Sequence, residues 1–370
     1  MIRVLHVIGA MDRAGAETMI MNLYRHIDRS EIQFSFLVHT DRHCDYDDEI
    51  ETLGGKIYRL PRFTGLNYFQ YKKACKRFFE THPEIDIVHG HIGVGAPLYL
   101  AAANKANKFT IAHAHSENFY IGLNKIAFSV ATHPTRKIAK AFFACSNQAC
   151  IDTFGESVLQ TGRCTIINNG VDTEILKNSA MKREAYREDY GLSNSPVFGH
   201  VARFIPVKNH GFLVEIFNEI VRKMPNAQLF LLGDGPDRPK IEKMVKDLQL
   251  EKNVHFLGVR EDISELLAAM DVFIFPSKKE GLPVSVVEAQ AVGLPVLLSD
   301  GVTETAAILP STTRASLSEG ATAWANRALA MLDGRLSPKK AQEILRSAGF
   351  DATKNAQEVS AYYKKVVHCQ

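Results

Sequence analysis

The chain has 370 residues, more than one ordinary hydrophobic core accommodates, so two domains are expected. Its 46% hydrophobic and 23% charged residues exclude a disordered chain and a membrane bundle. A formal net charge of only +3 excludes a dedicated nucleic-acid binder, which would concentrate Lys and Arg against a phosphate backbone.

In chain order, Met1–Ala10 (MIRVLHVIGA) reads as a first β-strand, not as a leader with a cleavage site. A helix follows over Glu17–His26, then the strand IQFSFLVHT, a helix over Tyr68–Thr81, and the strands IDIVHGH, FTIAHAH, AKAFFACS and CTIINNG. Strand–helix–strand alternation predicts an α/β chain with a parallel sheet covered on both faces. In such sheets ligands gather at the carboxyl ends of the strands, so residues just after strands are the functional candidates. The pattern pauses from Asp172 to Pro196, a charged stretch without a strand that reads as a crossing between domains. A second alternating series runs through VFGHVAR, AQLFLLGDG, VHFLGV, DVFIFPS and LPVLLSD, and a helix near Ala356–Val367 closes the chain. The expected domains are residues 1–175 and 197–354, with a linker over 176–196 and a last helix, about 355–370, packing back on the first domain. No stretch of about 18 apolar residues is present to span a bilayer. The six cysteines form no C-x-x-C pair and no zinc spacing, which fits free thiols in a reducing cytosol.

The most informative segment is DVFIFPSKKEGLPVSVVEAQAVGLPVLLSD, residues 271–300. A buried strand enters a loop ending in Gly281-Leu282-Pro283, and a helix is predicted to start near Pro283, where a proline in the first turn costs no hydrogen bond. The amides of Val284, Ser285 and Val286 would then point out of the helix start, an anion site suited to a diphosphate. Glu280 precedes this site and Glu288 follows on the first turns of the helix; each can accept hydrogen bonds from the hydroxyl pairs of a ribose or a hexose.

Glu280 and Glu288, with Gly-Leu-Pro between them, resemble the E-x7-E signature of retaining GT-B glycosyltransferases, specifically family 4. The similarity extends over nearly the whole chain and suggests the bacterial exopolysaccharide and capsule branch. Ala14-Gly15-Ala16-Glu17-Thr18 is similar to the family's glycine loop after the first strand, although the usual double glycine is Ala14-Gly15 here. His113-Ala114-His115-Ser116 resembles its histidine loop, and Asn169-Gly170-Val171-Asp172 the turn before its linker. Arg203 and Lys208-Asn209 resemble its basic pair, and Gly233-Asp234-Gly235-Pro236 its loop near the base.

The resemblance implies a GT-B fold: two Rossmann-like domains with parallel sheets facing across a cleft that holds donor and acceptor. It implies a hexosyltransferase that moves a hexose or N-acetylhexosamine, with retention, from a nucleotide sugar to a glycan or lipid-linked acceptor. The donor is expected to be a UDP-sugar, with no cofactor. Arg203 and Lys208 would neutralise the diphosphate and the charge growing on the leaving nucleotide. His115, with His113 as competitor, would meet a hydroxyl of the donor sugar. Gly15 would let the backbone approach the donor phosphates. Glu280 would face the transferred sugar and Glu288 the ribose, while Gly281, Leu282, Pro283, Val284 and Ser285 would line the donor site. The alternatives are a phosphorylase or epimerase on the same fold and a non-catalytic partner subunit.

Asp45-Tyr46-Asp47 matches the D-x-D pattern by which another glycosyltransferase fold holds a divalent metal. It lies outside the other motifs and reads as a solvated loop and helix start, so no metal site is expected. Lys72, Lys73, Lys76 and Arg77 form a basic helix face which, with the basic, apolar stretch Tyr120–Ala141, could touch an anionic membrane surface from the cytoplasmic side. A solvated face is the competing reading.

Overall fold

A computed structural model describes residues 1–91, 93–115, 128, 130–192 and 195–368. The chain divides into two compact units, Met1–Gly170 with Ala352–Gln370, and Val171–Asp351.

The first unit is built on a seven-stranded parallel sheet: β1 (Ile2–Ile8), β2 (Ile32–Val38), β3 (Lys56–Arg59), β4 (Ile87–His91), β5 (Phe109–Ala114), β6 (Ala141–Ala144) and β7 (Cys164–Ile166), in the order β3-β2-β1-β4-β5-β6-β7. The second holds six strands: β8 (Val197–Val201), β9 (Gln228–Leu232), β10 (Val254–Gly258), β11 (Val272–Phe275), β12 (Val296–Ser299) and β13 (Thr312–Ala315), in the order β10-β9-β8-β11-β12-β13. Both are doubly wound, with the order reversing at β1/β4 and at β8/β11. The central strands are buried on both faces; β11 is an unbroken apolar run with all four residues fully buried, whereas β1, β4, β5 and β8 carry buried histidines. In each unit the sheet separates two apolar layers.

The stretch read as a linker is different. It forms two helices, Thr173–Met181 and Arg183–Asp189, and both belong to the second unit. Its charges are structural. Arg183 donates to the carbonyls of Ala268 (2.6 Å) and Met270 (2.5 Å) and to Asp271 (2.5 Å). Arg187 donates to the carbonyl of Ala269 (2.8 Å) and to those of Leu192 and Ser195. Arg335 adds a bond to the carbonyl of Met270 (2.8 Å). Together they satisfy carbonyls left open where the helix Ile263–Ala269 ends. Arginine has the five donors in a fixed fork that this clamp uses.

The chain therefore leaves the first unit at Gly170, and the last helix, Ala352–His368, returns to it and packs on the helix Gly15–His26. The turn before the crossing is held by two buried amides: Asn22 donates to the carbonyl of Gly170 (2.9 Å), and Asn355 to that of Asn168 (2.8 Å).

Candidate functional site

At a switch point the loops after the two diverging strands form one crevice. In the second unit these are the loops after β8 and β11, and they are joined directly. The amide of Lys278 donates to the carbonyl of Val207 (2.8 Å), and the side-chain amide of Asn209 to that of Pro276 (3.1 Å). Asn209 sits in the left-handed region, φ 60°, between a short turn of helix over Pro206–Lys208 and the helix His210–Lys223.

Inside this crevice Lys208 and Glu280 form an ion pair, Nζ to Oε1 2.6 Å. Both side chains are largely buried, and Lys208 Nζ lies 5.1 Å from the centroid of the Phe275 ring. Ser277 Oγ stands 3.4 Å from the same carboxylate oxygen. The backbone of Glu280 is locked on both sides: its amide donates to Gly301 (3.0 Å), and its carbonyl accepts from Thr303 (3.2 Å). Gly301 is required here, because a Cβ would lie 2.2 Å from the carbonyl of Lys278. Thus Lys208 and Glu280, assigned separately to diphosphate and sugar from the sequence, are partners of each other. Neither is a solvated charge.

Arg203 differs. It is exposed, and among the described residues nothing engages its guanidinium. Its loop is rigid: the amide of Phe204 donates to the carbonyl of Asp234 (3.0 Å), and that of Asp237 to the carbonyl of Phe204 (3.0 Å). Gly233, at φ +120°, allows this contact; a Cβ there would meet the carbonyl of Ala202 at 2.2 Å. The Gly-Asp-Gly loop therefore braces the arginine loop.

The helix after β11 runs over Val284–Ala291, and Pro283 is its N-cap, one position earlier than the first-turn place read from the sequence. The amide of Val286 bonds to the carbonyl of Pro283 (3.1 Å), so it is not free. The amides of Val284 and Ser285 have no partner among the described residues and carry the helix-start dipole. Gly281, Leu282, Pro283 and Val284 are buried, while Ser285 and Glu288 are half-buried on the same helix. Gln290 fixes the far end: its fully buried amide donates to the carbonyls of Val286 and Ala306 and accepts from the amides of Ile308 and Leu309 and from Thr312 Oγ1.

In the first unit, Gly15 is exposed at the first position of the helix Gly15–His26, whose N-cap Ala14 supplies no side-chain bond. Glu17 in that first turn has its carboxyl pushed up to about 7, first by burial and further by Asp12. Sequence reasoning gave Glu17 no role, because burial is not visible in a motif.

His115 follows β5 directly and His113 lies within it, fully buried. Both belong to an array that sequence reasoning missed. His6 on β1, His89 and His91 on β4, His113 and His115 are joined ring to ring: His6 Nδ1 to His91 Nε2 at 2.9 Å, His91 Nδ1 to His115 Nε2 at 2.5 Å, and His89 Nε2 to His113 Nδ1 at 2.9 Å. His89 Nδ1 bonds Tyr363 Oη at 2.6 Å. Burial holds all five neutral, driving His115 down to about 4 and the other four well below the usual range. The available signal was HGH followed by HAH: residues two apart share one face of a strand.

His89, His91 and His113 are a possible metal-ligand group, their nearest nitrogens lying within 4.8 Å of one another. Both nitrogens of His89 and of His91 and Nδ1 of His113 are already engaged, with each other, with His6 and His115 and with Tyr363; His113 Nε2 alone of the six has no partner among the described residues, so an ion held by all three rings would have to break bonds of His89 and His91. The D-x-D segment is a loop and helix start, as read, with Asp45 exposed and accepting from the amide of Arg13 (3.0 Å); Asp47 is not solvated but buried, paired with Arg59 (2.7 Å) and bonded by the amide of Cys44.

Residues 13–175 match the family described as Glycosyltransferase Family 4, and residues 182–348 match Glycosyl transferases group 1. The protein named glycosyltransferase EpsF of Bacillus subtilis (strain 168) is 36% identical over 360 residues, 95% of this chain and 94% of that one. The capsular polysaccharide biosynthesis glycosyltransferase CapH of Staphylococcus aureus is 27% identical over 78% of this chain and 79% of its own length. The structure of Anabaena HepE in complex with UDP and glucose superposes with a TM-score of 0.79 at 20% identity, covering 99% of this chain and 100% of that one. The chain belongs to glycosyltransferase family 4 and has the GT-B fold of two Rossmann-like domains.

Proposed function

We propose that this protein transfers a hexose or N-acetylhexosamine from a UDP-sugar to a glycan or lipid-linked acceptor in surface polysaccharide synthesis, with retention and without a bound metal. The observation that carries the reading is the convergence at β8/β11 of a Lys208–Glu280 pair with Arg203 and two helix-start amides, neither the guanidinium nor the amides having a partner among the described residues. This is a positive, preorganised frame for a diphosphate. The relative named for capsular polysaccharide biosynthesis and the HepE complex with UDP and glucose support the substrate class.

In this reading Arg203, Lys208 and the amides of Val284 and Ser285 stabilise the charge that grows on the leaving diphosphate. Glu288 accepts from the ribose, Glu280 faces the sugar, and His115 meets a sugar hydroxyl. Gly15 and its open helix start approach the donor phosphates. The acceptor attacks from the face the diphosphate leaves, and a departing phosphate oxygen takes its proton. The protein supplies position and field.

The test is turnover of a panel of UDP- and GDP-sugars with oligosaccharide and polyprenyl-diphosphate acceptors after exhaustive chelation. Transfer from a UDP-sugar with retained anomeric configuration is expected. An inverted product, epimerised donor without acceptor, or activity that returns only with Mn²⁺ or Mg²⁺ contradicts the reading.

We also place the enzyme in the cytoplasm against the inner face of the membrane. No described helix is long and apolar enough to cross a membrane. Leu66 (99% exposed) and Phe69 (83% exposed) stand at the start of the helix Tyr68–Thr81, beside the exposed Lys72, Lys73, Lys76 and Arg77. Apolar anchors beside a basic face suit an anionic lipid surface. Residues 120–127 and 129 of the second basic stretch lie outside the described residues. Co-sedimentation with phosphatidylglycerol vesicles, lost in a Leu66→Ser/Phe69→Ser variant and absent with phosphatidylcholine, is the expected result; equal binding by the variant contradicts it.

A further inference from the structure

The histidine array presents a chemical question that the donor reading leaves open. His6, His89, His91, His113 and His115 line one face of the sheet, since β1 pairs His6 with His89 and β4 pairs His91 with His113. The face is packed with Phe34, Phe36, Phe143 and Tyr363. His6, His91 and His115 form a linear chain across it, with two ring–ring hydrogen bonds. The end atoms, His6 Nε2 and His115 Nδ1, are buried and have no partner among the described residues.

A neutral imidazole has one N–H and one lone pair. Three neutral rings joined by two bonds can therefore run in only two directions. In one, His115 donates to His91, His91 donates to His6, and the surplus N–H lies on His6 Nε2. In the other, His6 donates to His91, His91 donates to His115, and the surplus N–H lies on His115 Nδ1. Either way one N–H is left over, and a buried N–H without an acceptor costs about 1–3 kcal/mol. The two ends are not equivalent. His6 is fully buried against Phe34 and Phe36, and its Nε2 meets no acceptor among the described residues. His115, at the end of β5, is the least buried of the three, with part of the residue exposed although its Nδ1 is itself covered.

We propose that His6 and His91 are positioning residues that hold His115 as the Nδ1–H tautomer, so that it offers a neutral N–H donor to an oxygen of the bound ligand. The proposal rests on the reading of His115 as the residue that meets the donor sugar, and it adds the chemistry of that contact. The ligand atom is an acceptor, a hydroxyl oxygen using its lone pair. The affinity of His115 for it depends on two side chains that touch no ligand. Binding supplies the one acceptor the chain lacks.

The test begins with ¹⁵N-histidine-labelled protein and long-range proton–nitrogen correlation spectra, which report the protonated nitrogen of each ring without any ligand. In the free protein His115 is expected protonated at Nδ1 and bare at Nε2, and in His91→Phe it is expected as a mixture of both forms. UDP and UDP-glucose are then titrated separately. His91→Phe should weaken UDP-glucose about tenfold, the scale of one hydrogen bond, and leave UDP unchanged. His91→Gln, whose amide can donate to His115 Nε2, should recover most of the loss, and His6→Phe should show a smaller loss than His91→Phe. A His115 protonated at Nε2 in the free protein, or a tautomer unaltered by His91→Phe, overturns the proposal on its own terms. Equal loss of UDP and UDP-glucose in His91→Phe, with no recovery by His91→Gln, overturns it as a purely structural effect. If the tautomers are as expected but His115→Ala binds UDP-glucose like the wild type, the relay stands and the placement of the sugar at His115 fails.

Discussion

The two units share one frame and fill it with opposite chemistry. Each is a doubly wound parallel sheet whose order reverses between its first and fourth strands, β1/β4 in one and β8/β11 in the other. In the second unit the reversal gathers charge: Arg203, Lys208 and Glu280, with an uncapped helix start alongside. In the first it gathers neutral imidazoles, with His6 meeting His91 across the reversal, and the carboxyl nearest the glycine loop, Glu17, is held close to half-protonated at neutral pH. Topology thus decides where a ligand is met, and side-chain desolvation decides what kind of group is met there. Charge of this kind suits a diphosphate, and neutral rings of this kind suit uncharged hydroxyl groups.

The largest expected effect tests how the charged crevice is built. Lys208→Met leaves the buried Glu280 carboxylate without its cation, a loss of about 3–5 kcal/mol in stability. Arg203→Met removes an exposed group that has no partner among the described residues, and on the proposed function it should leave stability within about 0.5 kcal/mol while sharply weakening donor binding. The sequence alone predicts the same behaviour for both, activity lost with folding intact; the structure separates them. Urea melts of the two variants decide, and equal stabilities would mean that the ion pair contributes nothing.

Next is the neutral crevice. The Glu17 carboxyl is raised from its ordinary value of about 4.5 to about 7, so folding favours the protonated form. Below about pH 4.5 both folded and unfolded chains hold the proton and nothing is lost. Between about 4.5 and 7 the unfolded chain ionises first and stability falls; above 7 the penalty is constant, on the order of 3 kcal/mol at most. Glu17→Gln should therefore stabilise the protein at pH 8 and leave it unchanged at pH 4. A difference independent of pH would mean that Glu17 is not desolvated.

A smaller effect separates the two glutamates. Glu288→Gln should weaken UDP and UDP-glucose alike, about ten- to a hundredfold. Glu280→Gln should keep UDP affinity, because Lys208 loses a competitor for its charge, yet weaken the part of binding that needs the sugar. Calorimetry with both ligands decides, and a Glu280→Gln variant that loses UDP as severely as Glu288→Gln ends the division of roles.

How much of this was legible in the sequence follows a physical line. Strand alternation was legible because sheets buried on both faces need unbroken apolar runs such as Val272–Phe275, and the β11-to-helix segment because its glycine, proline and glutamates are punctuated. The partners of charged side chains were not. Arg183 and Arg187 looked like linker charges, yet they satisfy carbonyls some 80 residues away in the chain. Asp47 looked solvated and is buried on Arg59; Lys208 looked free and is paired with Glu280. A charged letter carries no record of its own desolvation. His6 and His91 were missed for the related reason that a histidine in a strand declares its face but not its partner.

The most direct test of a metal-free, charged donor crevice is calorimetric titration of UDP into chelator-treated wild-type protein and Arg203→Met in parallel. The expected result is saturable binding by the wild type that added Mg²⁺ or Mn²⁺ does not tighten, and an affinity about ten- to a hundredfold lower in Arg203→Met at unchanged stability. Binding that appears only with a divalent metal, or an Arg203→Met variant that binds UDP like the wild type, would contradict it.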